Sequence, residues 1–333
     1  MKNIFKNKII LVTGGTGSIG SSIVRQLLAY GPKQVRVLSR NETRQYELLE
    51  ALDYPDNLRM FIGDIRDRDR LQLAFRNVDI VFHAAALKHV PFCEYNPTEA
   101  MKTNIVGSHN VIDAAVHAGV KKVIAISTDK VANPFNVLGV SKLMMEKLFI
   151  NSDFITGDDI KFSCVRFGNV AWSDGSVLPF WKRQAEKKGS INVMNGKSTR
   201  FFMSIDQAVG LTLQAAELSQ GADIFVLKMP AISLADLAKI FIKKYYPKAK
   251  IKEVDSRPGD KLHEDLIGVN EWNREIWSNQ KMFVLLAATS IYNQAERPKK
   301  YFGVKYPGFK LVTGALSYSS QENIDTDAVV KII

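Results

Sequence analysis

Over the first 170 residues, apolar and polar positions follow two rhythms. Short, almost unbroken apolar runs recur at Lys8–Thr13 (KIILVT), Gln34–Leu38, Arg59–Ile62, Val78–His83 (VDIVFH), Val120–Ile126 and Lys161–Phe167 (KFSCVRF). Runs of this length without a polar face fit strands buried on both sides. Between them the apolar residues fall at helical spacing. Ile23, Val24, Leu27 and Leu28 follow the first run, and further helices are expected from about Asn96 to Ala118 and from about Gly139 to Ile150. The former opens with Pro97 near its first turn and stops before Gly119, as helix-end chemistry prefers. This alternation predicts an α/β fold, a doubly wound parallel sheet.

After Gly168-Asn169 the rhythm loosens. The stretch Trp172 to Gly196 is rich in aromatics, glycine and lysine, as a substrate-facing insertion would be. A helix from Asp206 to Leu218 and a strand at Asp223–Leu227 restore the pattern; a helix bearing Leu234, Leu237, Ile240 and Phe241 follows, then an extended piece at Ile251–Val254. The expected division is a nucleotide-binding domain over residues 1–170, rejoined by 199–227, and a substrate-binding region over 171–198 and 228–333. The last seventy residues show weak periodicity and are not divided further.

The chain has 333 residues, 46% of them hydrophobic, enough for a substantial core. No apolar run approaches the roughly 18 residues of a membrane span, and the basic N-terminus lacks a cleavage pattern, so a soluble cytoplasmic protein is expected. Cys93 and Cys164 are too few for a disulfide framework and lack zinc-ligand spacing, so no metal is expected. The net charge of +11 raises the question of nucleic acid, but the cations are scattered rather than clustered. They suit handling of a polyanionic nucleotide instead.

The candidate chemistry begins at the end of the first strand. Gly14, Gly17 and Gly20, with Thr16, Ser18 and Ile19 between them, form a glycine turn opening a helix. Such a turn brings backbone amides and a positive helix terminus to a pyrophosphate. The second strand ends in Ser39-Arg40-Asn41, where an NAD site usually has an acidic residue for the ribose hydroxyls. Arg40 and Arg44 offer guanidinium groups to a 2′-phosphate, which predicts NADP rather than NAD. Asp64 and Ile65 are expected beside the adenine, with Asp64 also a candidate cap for the helix starting near Arg68. Ala84, Ala85 and Ala86 let a cofactor approach the fourth strand closely. The fifth strand ends in Ser127-Thr128-Asp129-Lys130, a hydroxyl, a carboxylate and an amine where the ligand crevice of a parallel sheet opens.

Taken together these segments resemble the extended short-chain dehydrogenase/reductase superfamily, and more narrowly its UDP-N-acetylglucosamine 4,6-dehydratases of polysaccharide and nonulosonic-acid synthesis. The resemblance is carried by Thr13-Gly-Gly-Thr-Gly-Ser-Ile-Gly20, Gly63-Asp-Ile-Arg-Asp67, His83-Ala-Ala-Ala-Leu-Lys-His-Val-Pro91, Lys102-Thr-Asn-Ile-Val-Gly107, Ser127-Thr-Asp-Lys130, Arg166-Phe-Gly-Asn-Val170, Thr199-Arg-Phe201 and Arg257-Pro-Gly-Asp-Lys261. It implies a redox-neutral elimination on a UDP-linked amino sugar, with hydride passing from C4 to the cofactor and back to C6. Lys130 is then the expected base at C5 and Asp129 the acid for the departing C6 hydroxyl. Thr128 would orient the C4 hydroxyl, and Lys142 would hold the nicotinamide ribose. Lys88, Asn169, Arg200, Arg257 and Lys261 are the expected substrate contacts. A homodimer or larger homo-oligomer is implied, with no nucleic acid or membrane partner.

One position departs from the superfamily pattern. Its Tyr-x-x-x-Lys motif reads Leu138-Gly-Val-Ser-Lys142 here, so the usual base for the sugar hydroxyl is absent. Thr128, Asp129 or a water held by Lys142 remain as alternatives. A C5- or C4-epimerase and a non-catalytic sugar-nucleotide-binding protein are the competing expectations.

Overall fold

The protein is described here by a computed structural model covering residues 3–156, 159–255, 259–271, 274–286, 306–314 and 316–333. The first six strands are β1 (Ile9–Thr13), β2 (Gln34–Ser39), β3 (Leu58–Ile62), β4 (Ile80–His83), β5 (Lys122–Ile126) and β6 (Lys161–Arg166). They pair in parallel in the spatial order 3-2-1-4-5-6. That order reverses between β1 and β4, and ligands of such sheets bind in the crevice at this reversal. Ile10, Leu11 and Val12 of β1 and Val123, Ile124 and Ala125 of β5 are fully buried, which is why these runs carry no polar face.

The helices are α1 (Ser18–Leu28), α2 (Glu42–Glu50), α3 (Arg68–Phe75), α4 (Val90–Tyr95), α5 (Pro97–Ala100), α6 (Gly107–Ala118), α7 (Val137–Thr156), α8 (Val177–Lys188), α9 (Ile205–Leu218), α10 (Leu234–Tyr245) and α11 (Thr326–Ile332). The single helix expected over Asn96–Ala118 is therefore interrupted. A wide π turn, Met101–Val106, joins α5 to α6. Its Asn104 turns inward, accepting from the Leu87 amide at 2.8 Å and donating to the Leu87 carbonyl at 3.1 Å and Ser141 Oγ at 3.0 Å. The turn thus pins the loop after β4, in keeping with the tendency of π turns to mark functional sites. Asp64 is not the cap of α3; Asp67 is, accepting from the Arg70 amide.

The remaining strands are β7 (Asn169–Val170), β8 (Ser190–Met194), β9 (Thr199–Met203), β10 (Asp223–Leu227), β11 (Ala231–Ser233), β12 (Lys250–Val254), β13 (Asp265–Ile267), β14 (Ile276–Ser278), β15 (Met282–Leu286), β16 (Lys310–Leu311) and β17 (Tyr318–Ser319). β10 adds in parallel to β6, and β15, β14 and β16 continue antiparallel beyond it. The expected boundary at residue 228 does not coincide with a sheet boundary, because β14, β15 and β16 beyond it join the main sheet. β9, by contrast, lies in a separate small sheet with β7 and β11. A second core beside this sheet holds Trp181, Phe202, Leu237 and Phe241. Trp181 is buried and donates to the Asn192 carbonyl, while Trp172 packs against Phe241 and Tyr245. Neither tryptophan faces the crevice.

The two halves are joined by a buried guanidinium. Arg166, at the end of β6, is fully buried and reaches Glu146 of α7 with Nε at 2.8 Å and Nη2 at 2.7 Å. Its Nη1 and Nη2 also reach Glu271 at 2.7 and 2.9 Å, and Nη1 donates to the Leu266 carbonyl at 3.1 Å. Burial opposes the charge, but the two carboxylates hold the guanidinium protonated. Removing Glu146 leaves the buried Arg166 Nε without an acceptor and takes away one of its two countercharges in low dielectric. Glu146→Ala is accordingly expected to lower unfolding free energy by about 3–5 kcal/mol, as read by urea denaturation; a loss below about 1 kcal/mol would refute the bridge.

Candidate active site

The strand ends of β1, β4 and β5 open onto a cleft of about 860 Å³. Its first wall is the glycine turn. Gly14 has φ of +66°, and a side chain there would meet the Ala85 backbone at 2.7 Å. The Gly17 amide closes the turn onto the Gly14 carbonyl at 3.0 Å. Gly17 caps α1 without any side-chain hydrogen bond, which leaves the helix terminus open to an anion. Thr16, Ser18, Ile19 and Gly20 line the same wall, as do Ser39, Arg40, Arg44, Asp64, Ile65, Ala84, Ala85 and Ala86. All the residues expected at a cofactor site thus share one cleft, with Lys88 and Lys142.

Arg40 and Arg44 are about half exposed at the mouth, facing Asp64 at 3.7 Å and Asp174 at 3.5 Å. The Asp64 carboxylate already accepts from Arg66, through its amide at 2.9 Å and Nη2 at 2.7 Å. The start of the stretch expected as a substrate-facing insertion closes over this region of the cleft. The Asp174 amide donates to Ser18 Oγ at 2.8 Å, and Lys88 Nζ donates to the Asp174 carbonyl at 2.6 Å. Gly175, with φ of +70°, packs directly on the His89 ring.

The opposite end of the cleft holds the polar turn after β5. Asp129 is fully buried. Its Oδ1 accepts from Thr128 Oγ1 at 2.7 Å and Lys130 Nζ at 3.0 Å, whereas Oδ2 has no partner. Gly168 lies against Oδ2, and a side chain there would come within 3.3 Å of it. Ser127 Oγ and Ser176 Oγ also line the cleft, buried and without a partner. Buried polar atoms left open cost free energy unless something completes them, so three such atoms in one crevice mark it as a ligand site.

Lys130 does not have the lowered pKa expected of a neutral amine. Burial pulls it down, but Asp129 and a second carboxylate, Glu264 at 3.6 Å, together hold it above the ordinary lysine value. Glu264 carried no sequence signal, since a lone glutamate between a loop and β13 has no pattern to mark it. Lys142 is buried, and desolvation lowers its pKa to about 8. Its Nζ donates to the Ile126 carbonyl at 2.6 Å and lies 3.1 Å from Met145 Sδ. Leu138 lines the cleft one helical turn before Lys142 and is otherwise packed with Cys93 and Ala100.

Of the expected substrate contacts, Lys88 and Asn169 line the cleft. Arg200 does not: its guanidinium donates to the carbonyls of Thr199, Lys261 and Leu262. Lys261 lies in a separate shallow hollow with Asn133, Phe135 and His263, and its Nζ donates to the Ala132 carbonyl at 2.9 Å. Arg257 lies outside the described residues.

Residues 10–286 match the family model described as polysaccharide biosynthesis protein. The chain belongs to that family. It is an enzyme of the extended short-chain dehydrogenase/reductase type. It is 48% identical over 86% of its length to an uncharacterized membrane protein of Methanocaldococcus jannaschii, covering 87% of that protein. It is 43% identical to a UDP-N-acetylglucosamine 4,6-dehydratase (inverting) of Campylobacter jejuni, over 80% of each chain. A UDP-glucose 4-epimerase of Rickettsia akari is 40% identical over 79% of each chain. Among solved structures, Pen from Bacillus thuringiensis superposes with a TM-score of 0.90 at 38% identity, over 99% of this chain and 98% of that one. No helix among the described residues is long and apolar enough to cross a membrane.

Behind the glycine turn, His83 is buried between Thr13 Oγ1 at 2.7 Å and Ser108 Oγ at 3.0 Å. Burial, with Lys142 adding to it, pushes the ring from 6.5 down to about 3. Between those values the unfolded chain binds the proton and the folded one does not, so stability falls as pH is lowered through that window. The slope from this residue is about 1.4 kcal/mol per pH unit. Urea melts of His83→Asn are expected to show a shallower decline from pH 6.5 to pH 4 than the wild type. Equal slopes would contradict the assignment.

Proposed function

We propose that this enzyme is a nucleotide-sugar 4,6-dehydratase acting on UDP-N-acetylglucosamine or a close UDP-N-acetylhexosamine, with NADP as its cofactor. The observation that carries the reading is the buried Thr128–Asp129–Lys130 turn, with Asp129 Oδ2 open, in the same cleft as the glycine turn. The uncapped α1 terminus and the glycine contacts fit a dinucleotide pyrophosphate; Arg40 and Arg44, with no acidic residue in place of Arg40, fit a 2′-phosphate. When bound, the nicotinamide supplies acceptance of a hydride from sugar C4 and its return at C6.

The protein's own part is proton traffic. With leucine at 138, the C4 hydroxyl proton passes to Thr128 Oγ1 while Thr128 passes its own proton across the 2.7 Å contact to Asp129. This route is favoured over a water on Lys142, whose ammonium is already directed at Ile126 and Met145. Asp129 then delivers that proton to the C6 hydroxyl, which leaves as water. Lys130 removes the C5 proton, acidified by the C4 ketone, and later returns a proton to C5. A carboxylic acid and an amine within 3.0 Å can divide these tasks.

The reading is tested by NMR of the products from UDP- and GDP-linked N-acetylhexosamines in deuterated water. Loss of one water with deoxygenation at C6 is expected, and turnover is expected to drop by roughly 10²–10⁴-fold in Asp129→Asn and Lys130→Ala. Inverted stereochemistry with the C6 hydroxyl kept, at unchanged mass for C4 or with one deuterium gained at C5, would instead establish an epimerase, the reading favoured by relatives such as the Rickettsia akari protein. Wild-type behaviour of both variants would remove the catalytic assignment.

A homodimer is part of the same proposal. Val106 and Val116, on or beside α6, and Val140 and Met144 on α7 expose apolar side chains on helices that pack together. Light scattering is expected to give at least twice the chain mass, and a monomer would count against it.

A further inference from the structure

Lys130 enters the proposed elimination carrying one proton too many. It must remove a proton from C5, yet at rest it is an ammonium held between two carboxylates. Asp129 cannot relieve it, because that carboxylate is already needed to take the C4 hydroxyl proton and pass it to the leaving group. A third group must hold the lysine proton during the elimination.

Glu264 stands where such a group is required. It is 3% exposed, and its Oε1 lies 3.6 Å from Lys130 Nζ. Its Oε2 is buried with no hydrogen-bond partner. The backbone is fixed on both sides of this side chain: the Glu264 amide donates to Ser320 Oγ at 2.9 Å, and the Ser320 amide donates to the Glu264 carbonyl at 2.8 Å. Ser320 Oγ in turn lies 2.7 Å from Thr199 Oγ1, which is 2.8 Å from His263 Nδ1. Glu264 is outside the cleft lining, so it meets the chemistry only through Lys130.

The charged groups around it are Lys130 and Asp129 on the turn after β5, Arg200 on β9 and Lys261 in the preceding loop. Burial raises the Glu264 pKa, Lys130 opposes the rise, Asp129 adds to it, and the net direction is upward. A carboxyl so placed takes a proton more readily than a solvated one.

We propose that Glu264 is a positioning residue that stores the Lys130 proton during the elimination and returns it afterwards. The inference rests on the dehydratase reading. The protons then balance within the site. Asp129 gains the C4 hydroxyl proton through Thr128, and Lys130 passes a proton from Nζ to Glu264, becoming a free amine. The C5–H bond breaks with its proton going to Nζ and its electron pair forming the C5–C6 double bond. The C6–O bond breaks and the oxygen leaves with the Asp129 proton as water. The two electrons taken from C4 as hydride return at C6, Nζ protonates C5, and Glu264 hands its proton back to Lys130. All three side chains finish as they began, with no proton drawn from solvent.

The test uses full-length enzyme with NADP and UDP-N-acetylglucosamine, and follows two steps separately. Absorbance of the reduced nicotinamide reports C4 oxidation; deuterium uptake at C5 from deuterated water reports proton removal there. In Glu264→Gln, C4 oxidation and KM are expected to stay within about threefold of wild type, while C5 exchange and kcat fall roughly 100-fold. The residual exchange is expected to climb with rising pH, since bulk base then discharges Lys130, whereas the wild-type profile stays flatter. Glu264→Asp keeps the carboxyl on a shorter arm and is expected to lose only about tenfold, with a weaker version of the same pH limb. A Glu264→Gln enzyme with wild-type exchange and pH profile overturns the proposal, as does an equal loss in both steps. If Glu264→Gln melts below the assay temperature, Glu264→Asp decides by the same criteria. If Lys130→Ala exchanges C5 normally, the dehydratase reading itself has failed; if it is dead while Glu264→Gln is normal, only the role of Glu264 has.

Discussion

The buried Arg166 guanidinium is the constraint on which the geometry of the cleft depends. It sits at the end of β6, holds Glu146 on α7 and grips Glu271 in the C-terminal half. α7 carries Leu138 and Lys142 into the cleft, and the segment before Glu271 carries Glu264 to Lys130. Because a planar fork can satisfy two carboxylates and a carbonyl at once, one side chain ties β6 both to α7 and to the segment 266–271 about a hundred residues on. A buried ion triad is weak evidence for net stability, but it tolerates little displacement of its partners. The site beside it inherits that rigidity.

Around this joint the molecule separates two kinds of work. The carboxyl ends of β1, β2 and β4 offer backbone amides, small side chains and cations, chemistry suited to holding a dinucleotide without reacting with it. The end of β5 offers titratable groups whose environments are unequal. Asp129 has one oxygen engaged and one open; Lys130 is flanked by carboxylates; Lys142 is desolvated and lowered to about 8. In low dielectric these differences are amplified, and proton positions become a property of the cluster rather than of each residue. The leucine at 138 is coherent with that arrangement. It removes a phenol from the cleft, and Thr128 already donates to Asp129 along the path proposed for the same proton.

Several features were legible in the sequence because they depend only on local pattern. The apolar runs of β1 to β6, the glycine turn and the polar end of β5 are all read from neighbours in the chain, and the cleft lining contains every residue that those patterns nominated for the cofactor. Lys142 is likewise four positions from Leu138, one helical turn away. Legibility fails where partners are distant. The interrupted helix around Met101–Val106 follows from Asn104 turning toward Leu87 and Ser141, which no periodicity reports. Arg200, expected from the resemblance to contact substrate, spends its donors on three carbonyls of its own chain.

By itself, then, the sequence determined the strand–helix alternation, the glycine turn and the polar triplet Thr128-Asp129-Lys130 as the candidate site of chemistry. Each is a short-range consequence of side-chain spacing or of glycine's freedom at one turn. Only the tertiary structure decided that β14, β15 and β16 extend the main sheet, that Lys130 is held as an ammonium, and that Glu264 is the group facing it. Those outcomes depend on burial and on charges brought together from positions more than a hundred residues apart. Desolvation and Coulomb interaction act through space, and the spacing of residues along a chain does not record them.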